Sequence, residues 1–406
     1  MPSVIPALPR RLALTLLVLL AALAMLSADQ AERLALGGLR MPVFLLVCLV
    51  LAALCLMLRP RLDPDEATAP ALLLLLAAVM AVLDLQGQVD PLDYKLLLPV
   101  LALLIAGPLA AMLGPLDLPG LLWRLLALYV LAASLSVLVH GTEALARGAD
   151  GVVRIDASGS LVTHGSMCVL ALGLSAMTWS RAGVIGRLLR LLVLGAGGLL
   201  LLAAATRTPF LVLAIAALLV LVTSRRRGRW LSACLLLAAV GALVLLLHTL
   251  LIDASLWRRL TADGQAEWST GRAVAIAGWL ERAADHPLGM GLGTVRATLA
   301  DGKPSLDGDA IFDWPHNEAV RLWVEAGPAG LAFLLVLLAT LLAQAVRVAR
   351  HHPDPAARGL ALLLAADALA QSMCQNWLNS VYHATFLVLA LGLLARQGRI
   401  LAEHPA

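Results

Sequence analysis

Apolar runs of about 18 residues recur along this chain from Leu12 to Ala395, and they leave it few ways to fold. A run of that length crosses the hydrocarbon of a bilayer as one helix, because lipid offers the backbone no hydrogen-bonding partner of its own. Hydrophobic residues make up 61% of the 406 and charged residues 14%, so too little polar surface remains to cover a soluble core. The formal charge of +4 is too slight to point to nucleic acid. The expectation is an all-α polytopic membrane protein.

Bounded by Pro, Gly or charge, the runs give twelve spans, at roughly 12–28, 41–58, 70–83, 96–113, 121–139, 161–179, 188–205, 208–223, 230–252, 329–346, 359–378 and 381–395. With the N-terminus inside, seventeen of the 30 Lys and Arg fall on inner connections and six on short outer ones, the bias that cytoplasmic loops carry. Both termini are therefore expected in the cytoplasm. Arg10 and Arg11 ahead of Leu12–Ser27 have the form of a secretory signal, but the apolar sequence that follows favours an uncleaved first span. All five cysteines lie in apolar runs without CxxC pairing or metal-ligand spacing, so neither a disulfide framework nor a structural zinc is expected.

Two outer connections are long. His140 to Ser160 is one; the other, from Asp253 to about Pro328, exceeds what a connector needs and holds five of the nine tryptophans and eleven of the 26 acidic residues. The chain thus divides into spans one to nine over 1–252, an outer loop domain over 253–328, and spans ten to twelve with an inner tail over 329–406.

Within the loop domain, Thr270–Ala284 has helical spacing, with Ala273, Ile276, Ala277 and Leu280 on one face. Thr270 can cap its start, and Arg272 lies in the first turn, where free N–H groups also attract anions. The stretch His286-Pro287-Leu288-Gly289-Met290-Gly291-Leu292-Gly293 excludes a regular helix and permits close backbone approach, while its spacing is not that of a dinucleotide-binding loop. After Asp301, Asp307, Asp309 and Asp313 comes Pro315-His316-Asn317-Glu318. Here Asn317 can cap a helix in which Arg321 pairs with Glu318 or Glu325 and which Gly327-Pro328 ends. His316 sits at the mouth of that helix. Two roles are open to it: bonding a loop carbonyl, or serving as general base for a hydroxyl nucleophile.

Thr206-Arg207-Thr208-Pro209 is the only polar break between two apolar runs and marks an outer helix hairpin. Arg207 there either meets ordinary headgroups or, with Arg272, clamps a diphosphate, since guanidinium groups hold phosphate oxygens in a fork at all working pH values. Asp367, Gln371 and Gln375 recur every fourth residue, beside Asn376 and Asn379, giving one span a polar stripe that must face protein or water. The stripe either joins helices by hydrogen bonds or lines a cavity for a polar head. Trp123, Trp179, Trp230 and Trp377 near span ends fit interfacial belts. The loop tryptophans Trp257, Trp268, Trp279, Trp314 and Trp323 exceed that need and either pack a small core or stack on sugar rings.

In three pieces the sequence resembles the bacterial O-antigen ligase and polymerase family of polytopic glycosyltransferases. The pieces are Thr206–Pro209, then Gly271-Arg272 through Trp279 to the Gly289/Gly291/Gly293 stretch, then His316-Asn317 through Gly327 to Gly330-Leu331. The resemblance implies transfer of a glycan from undecaprenyl diphosphate to an acceptor on the periplasmic side of the bacterial inner membrane. Ligases attach the glycan to the lipid A core oligosaccharide; polymerases join one carrier-linked repeat to another. It implies His316 on the acceptor hydroxyl, Arg207 and Arg272 on the diphosphate, and a direct inverting displacement that needs no cofactor or metal. Arg296, Asn317, Arg321, Asp367 and Gln371 are further candidates around the substrate cavity. The compact chain and the large outer loop favour a ligase. A polymerase or a protein oligosaccharyltransferase of the same family is the nearest alternative, and a transporter or lipid-linked glycan flippase the alternative from another class.

Overall fold

The computed structural model describes residues 7–25, 40–58, 64–83, 96–140, 145–147, 153–155, 161–203, 208–223, 272–300, 305–306, 310–311 and 314–403. Helices dominate it: α1 Ala7–Met25, α2 Arg40–Leu58, α3 Pro64–Leu83, α4 Leu97–Leu113, α5 Leu118–His140, α6 Leu161–Met177, α7 Val184–Ala203, α8 Thr208–Thr223, α9 Arg272–Ala283, α10 Thr294–Ala300, α11 Glu318–His351, α12 Pro355–Cys374 and α13 Val381–Glu403. Each expected span carries a helix except 230–252, which lies outside the described residues. Both long connections also hold a small antiparallel hairpin that the all-helical expectation lacks, β1 Leu145–Arg147 with β2 Val153–Ile155, and β3 Ser305–Leu306 with β4 Ala310–Ile311.

By length and composition, the helices over Leu118–Val139, Val184–Leu201, Glu318–His351 and Val381–Leu401 can each cross a membrane, and five other apolar helices are shorter. The chain is a multi-pass membrane protein. The twelve crossings read from the apolar runs become, among the described residues, four full-length ones. Asp65 and Glu66 in the first turns of α3 are one reason that an apolar run falls short of a full crossing.

Small residues let these helices approach closely, as expected where lipid tails compete for apolar surface. A Cβ on Gly392 of α13 would stand 2.6 Å from the Ala106 Cβ of α4, and one on Gly173 of α6 would stand 2.6 Å from Leu363 Cδ2 of α12. Polar side chains add specific ties. Arg190 of α7 lies over the Trp123 ring of α5 at 4.1 Å and donates from Nε to Thr178 Oγ1 at 3.0 Å, while Trp123 Nε1 donates to Ser175 Oγ at 2.9 Å. These contacts satisfy a nearly buried guanidinium. Burial also corrects two of the belt assignments, because Trp123 and Trp377 are both packed inside the protein rather than turned to headgroups.

At the far end of α11 the chain turns sharply into α12. Asp354 caps α12 by accepting from Ala356 N at 2.8 Å and also receives Arg181, while the Asp354 N–H donates to His352 Nδ1 at 3.1 Å. Burial, aided by Arg358, holds the His352 imidazole below its usual range. The unfolded chain therefore binds the proton more readily. This contribution is fully present above the ordinary imidazole pKa of about 6.5 and is lost as pH falls below it. Melting temperatures from pH 8 to 5 are expected to decline less for His352→Asn, whose amide oxygen can still accept the Asp354 N–H, than for the wild type.

Candidate active site at the mouth of helix α11

The candidate site is built around one irregular residue. His316 has φ +45°, the only positive φ outside glycine among the described residues. Such a conformation costs a β-carbon-bearing residue on the order of 1 kcal/mol and persists only where its neighbours fix it. Those neighbours are identifiable. Asn317 is extended, accepts from Val320 N at 3.1 Å to cap α11, and donates from Nδ2 to Met373 O at 3.2 Å near the end of α12. The ring of His316 brings Nδ1 within 3.4 Å of Oε1 of Gln375, the C-terminal capping residue of α12. A strained imidazole at the junction of two helices is thereby held by both.

Beneath it lies a buried charge cluster. Arg321 donates from Nε to Glu318 Oε1 at 2.9 Å and from Nη1 to Glu325 Oε2 at 2.6 Å, so the sequence alternatives for its partner are both realised at once. Glu318 uses its other oxygen to accept from Leu378 N at 3.1 Å, which pins the short turn Trp377–Asn379 against the start of α11. All three charged side chains are buried, and Arg321, read from sequence as a candidate cavity residue, is gripped by the protein itself.

Gly327 interrupts α11 with φ +57° and ψ −142°, separating the amphipathic segment 318–326 from the apolar span. The glycine stretch docks here, backbone to backbone. Met290 N donates to Val324 O at 2.8 Å and Gly291 N to Glu325 O at 3.0 Å. A Cβ on Gly289, whose φ is +97°, would stand 2.6 Å from Ala326 N and Glu325 O. Replacing Gly289 by Ala is therefore expected to cost about 3 kcal/mol or more, since strain and overlap with rigid backbone act together. A lowered melting temperature and faster proteolysis of the loop domain would be the readouts.

The same contact assembles a small second core of Trp279, Ala283, Val295 and Val324, flanked by Met290, Leu299, Trp314 and Val320. It fixes α9 and α10 onto α11. The buried face of α9 is Ala275, Trp279 and Ala283, which corrects the face read from sequence: Ala273, Ala277 and Leu280 are exposed and Ile276 is half-buried. The large indole at 279 decides the rotation, because burying it removes more apolar area than burying any one residue of the other face. Trp279 thus has the core-packing role. Trp323 is 36% exposed.

Arg272 is the first residue of α9. Arg296 is exposed on α10. Arg207, Thr270, Trp257 and Trp268 lie outside the described residues. Arg207 immediately precedes α8, however, and α8 packs along α12, the helix that ends beside His316.

Asp367 and Gln371 are buried deeper in the bundle, where Ser166 Oγ donates to Asp367 Oδ1 at 2.7 Å, Gln371 Nε2 donates to both, and His383 Nε2 lies 2.8 Å from Asp367 Oδ2. This network joins α6, α12 and α13, so these two members of the polar stripe tie helices together. Sequence reading did not single out Ser166 or His383. The available signal was a histidine inside an apolar span, which needs an intramembrane partner. Among the described residues, no three His, Cys, Asp or Glu side chains converge as a metal site.

A multi-pass helical bundle with a small loop domain clamped over a histidine-bearing helix junction is the class of molecule defined by these features. Residues 191–335 match the family model described as O-antigen ligase. That stretch contains Arg207, Arg272 and His316, and the match supports a function of the O-antigen ligase or polymerase type. No curated protein matches the chain.

Proposed function

We propose that this protein is an O-antigen ligase, moving O-antigen polysaccharide from undecaprenyl diphosphate to the lipid A core oligosaccharide at the periplasmic face of the inner membrane. The observation that carries the reading is His316, an imidazole fixed in a strained turn within the segment that matches the O-antigen ligase family. Its ring takes the proton from an acceptor hydroxyl as that oxygen attacks the anomeric carbon of the carrier-linked glycan. The bond between that carbon and the diphosphate oxygen breaks, the configuration inverts, and undecaprenyl diphosphate departs with the bonding electrons. Arg207 and Arg272 neutralise the departing diphosphate, which removes the need for a bound cation. Arg296 and Asn317 border the acceptor side, with Arg321, Asp367 and Gln371 supporting the cavity from behind.

The test is transfer by the purified protein from carrier-linked glycan to lipid A core in the presence of a chelator. Arg207→Gln and Arg272→Gln are each expected to raise the KM for donor by about tenfold or more while leaving the KM for acceptor nearly unchanged. Unchanged donor use by both variants would defeat the diphosphate assignment. Extension of one carrier-linked repeat by another, with lipid A core left untouched, would instead make the protein a polymerase.

A further inference from the structure

At the opposite end of α11 from His316, a cleft of about 240 Å³ opens between α3, α4, α11 and α13, and nothing in the glycan-transfer reading uses it. Arg347 on α11 and Arg396 and Arg399 on α13 line it, together with the polar side chains of Thr340 and Gln344. Its remaining wall is apolar, including Pro70 and Leu103, and no acidic side chain is among the lining residues. From Pro328 to Arg347 the apolar part of α11 rises on the order of 30 Å at 1.5 Å per residue, about the thickness of a bilayer core, and His316 lies beyond the break at Gly327. The cleft therefore meets the leaflet opposite His316, whichever way the protein is inserted.

Its chemistry is that of a phosphate with an acyl chain attached. Three arginines from two helices line one small space, and a basic pocket between membrane helices is a recognised seat for anionic headgroups. Gln344 Oε1 is buried without a hydrogen-bond partner, an acceptor that a headgroup hydroxyl would satisfy. Arg396 and Arg399 each have a further interaction within the chain. A guanidinium carries five N–H donors, so an internal contact leaves others for a ligand. Gly392 of α13 and Ala106 of α4, which also line the cleft, pack tightly against each other, so the two helices leave no gap between them at that point.

We infer that this cleft binds the phosphate of an anionic phospholipid, of the phosphatidylglycerol or cardiolipin class, in the leaflet opposite His316. The bound lipid joins α11 to α13 and α3 at the end of the bundle remote from the chemistry.

The full chain, purified and placed in phosphatidylcholine nanodiscs, would be titrated with phosphatidylglycerol and, separately, with inorganic phosphate. Native mass spectrometry and melting temperature would report binding. The expected result is retained phosphatidylglycerol with a raised melting temperature, no matching rise from inorganic phosphate, and retention weakened about tenfold or more in Arg396→Gln/Arg399→Gln. Arg347→Gln, at an exposed position, gives a second variant should the double one fail to fold, and is expected to weaken retention in the same direction. Equal retention by wild type and variants would overturn the assignment. An equal response to inorganic phosphate would also overturn it, because the site would then take a soluble anion rather than a lipid.

Discussion

Replacing His316 by Asn is expected to lower glycan transfer by about 10²- to 10⁴-fold, the range for loss of a general base, while leaving the fold intact. Asparagine is the informative substitution because it tolerates left-handed backbone better than alanine, so φ +45° is kept without added strain. Its amide has no basic nitrogen. Rates from the purified transfer reaction, set beside melting temperatures, separate loss of the base from loss of the turn. If transfer proceeds at the wild-type rate in a folded His316→Asn protein, the imidazole is not the base. The long 3.4 Å approach of Gln375 Oε1 to Nδ1 gives a companion expectation. Gln375→Ala frees the ring to rotate and lowers kcat more than KM for acceptor, since the hydroxyl still binds but its base is less well placed.

The largest loss of stability is expected from Arg321→Ala. This substitution leaves Glu318 and Glu325, both buried, without the cation between them, and breaking a buried ion pair from one side costs about 3 to 5 kcal/mol. The damage reaches the candidate active site because Glu318 also holds Leu378 N, and with it the turn against which the start of α11 rests. Arg321→Ala is therefore expected to lose both melting temperature and transfer. Adding Glu318→Gln and Glu325→Gln, which remove the two uncompensated charges, recovers part of the melting temperature. A single Arg321→Ala variant as stable as the wild type would mean that the carboxylates are neutral or solvated. The cluster would then not anchor the junction.

Much of this was legible in the residues. The apolar runs located the helices, because a helix is the simplest structure that satisfies a backbone in lipid, and run length is a property of sequence alone. The loop domain stood out by its length and its tryptophans. The α11 cap was legible too, since Asn317 with a helical pattern behind it needs no distant partner to form. The glycine stretch announced an unusual backbone but not what it approaches: its partner carbonyls at Val324 and Glu325 lie some thirty residues away, and only folding brings them together. The rotation of α9 departs from its sequence pattern for a related reason. Several apolar faces were available on that short helix, and the choice fell to whatever surface received Trp279.

The membrane habit, the capped helix that carries His316 and the break at Gly327 follow from local chemistry and are set by the order of residues. The left-handed turn of His316, its setting beside Gln375, and the joining of Ser166, Asp367 and His383 across three helices were decided by tertiary packing. A helix period specifies which residues share a face but not which other helix that face will meet. In a bilayer, where apolar faces are nearly interchangeable, buried polar groups with few possible partners make that choice.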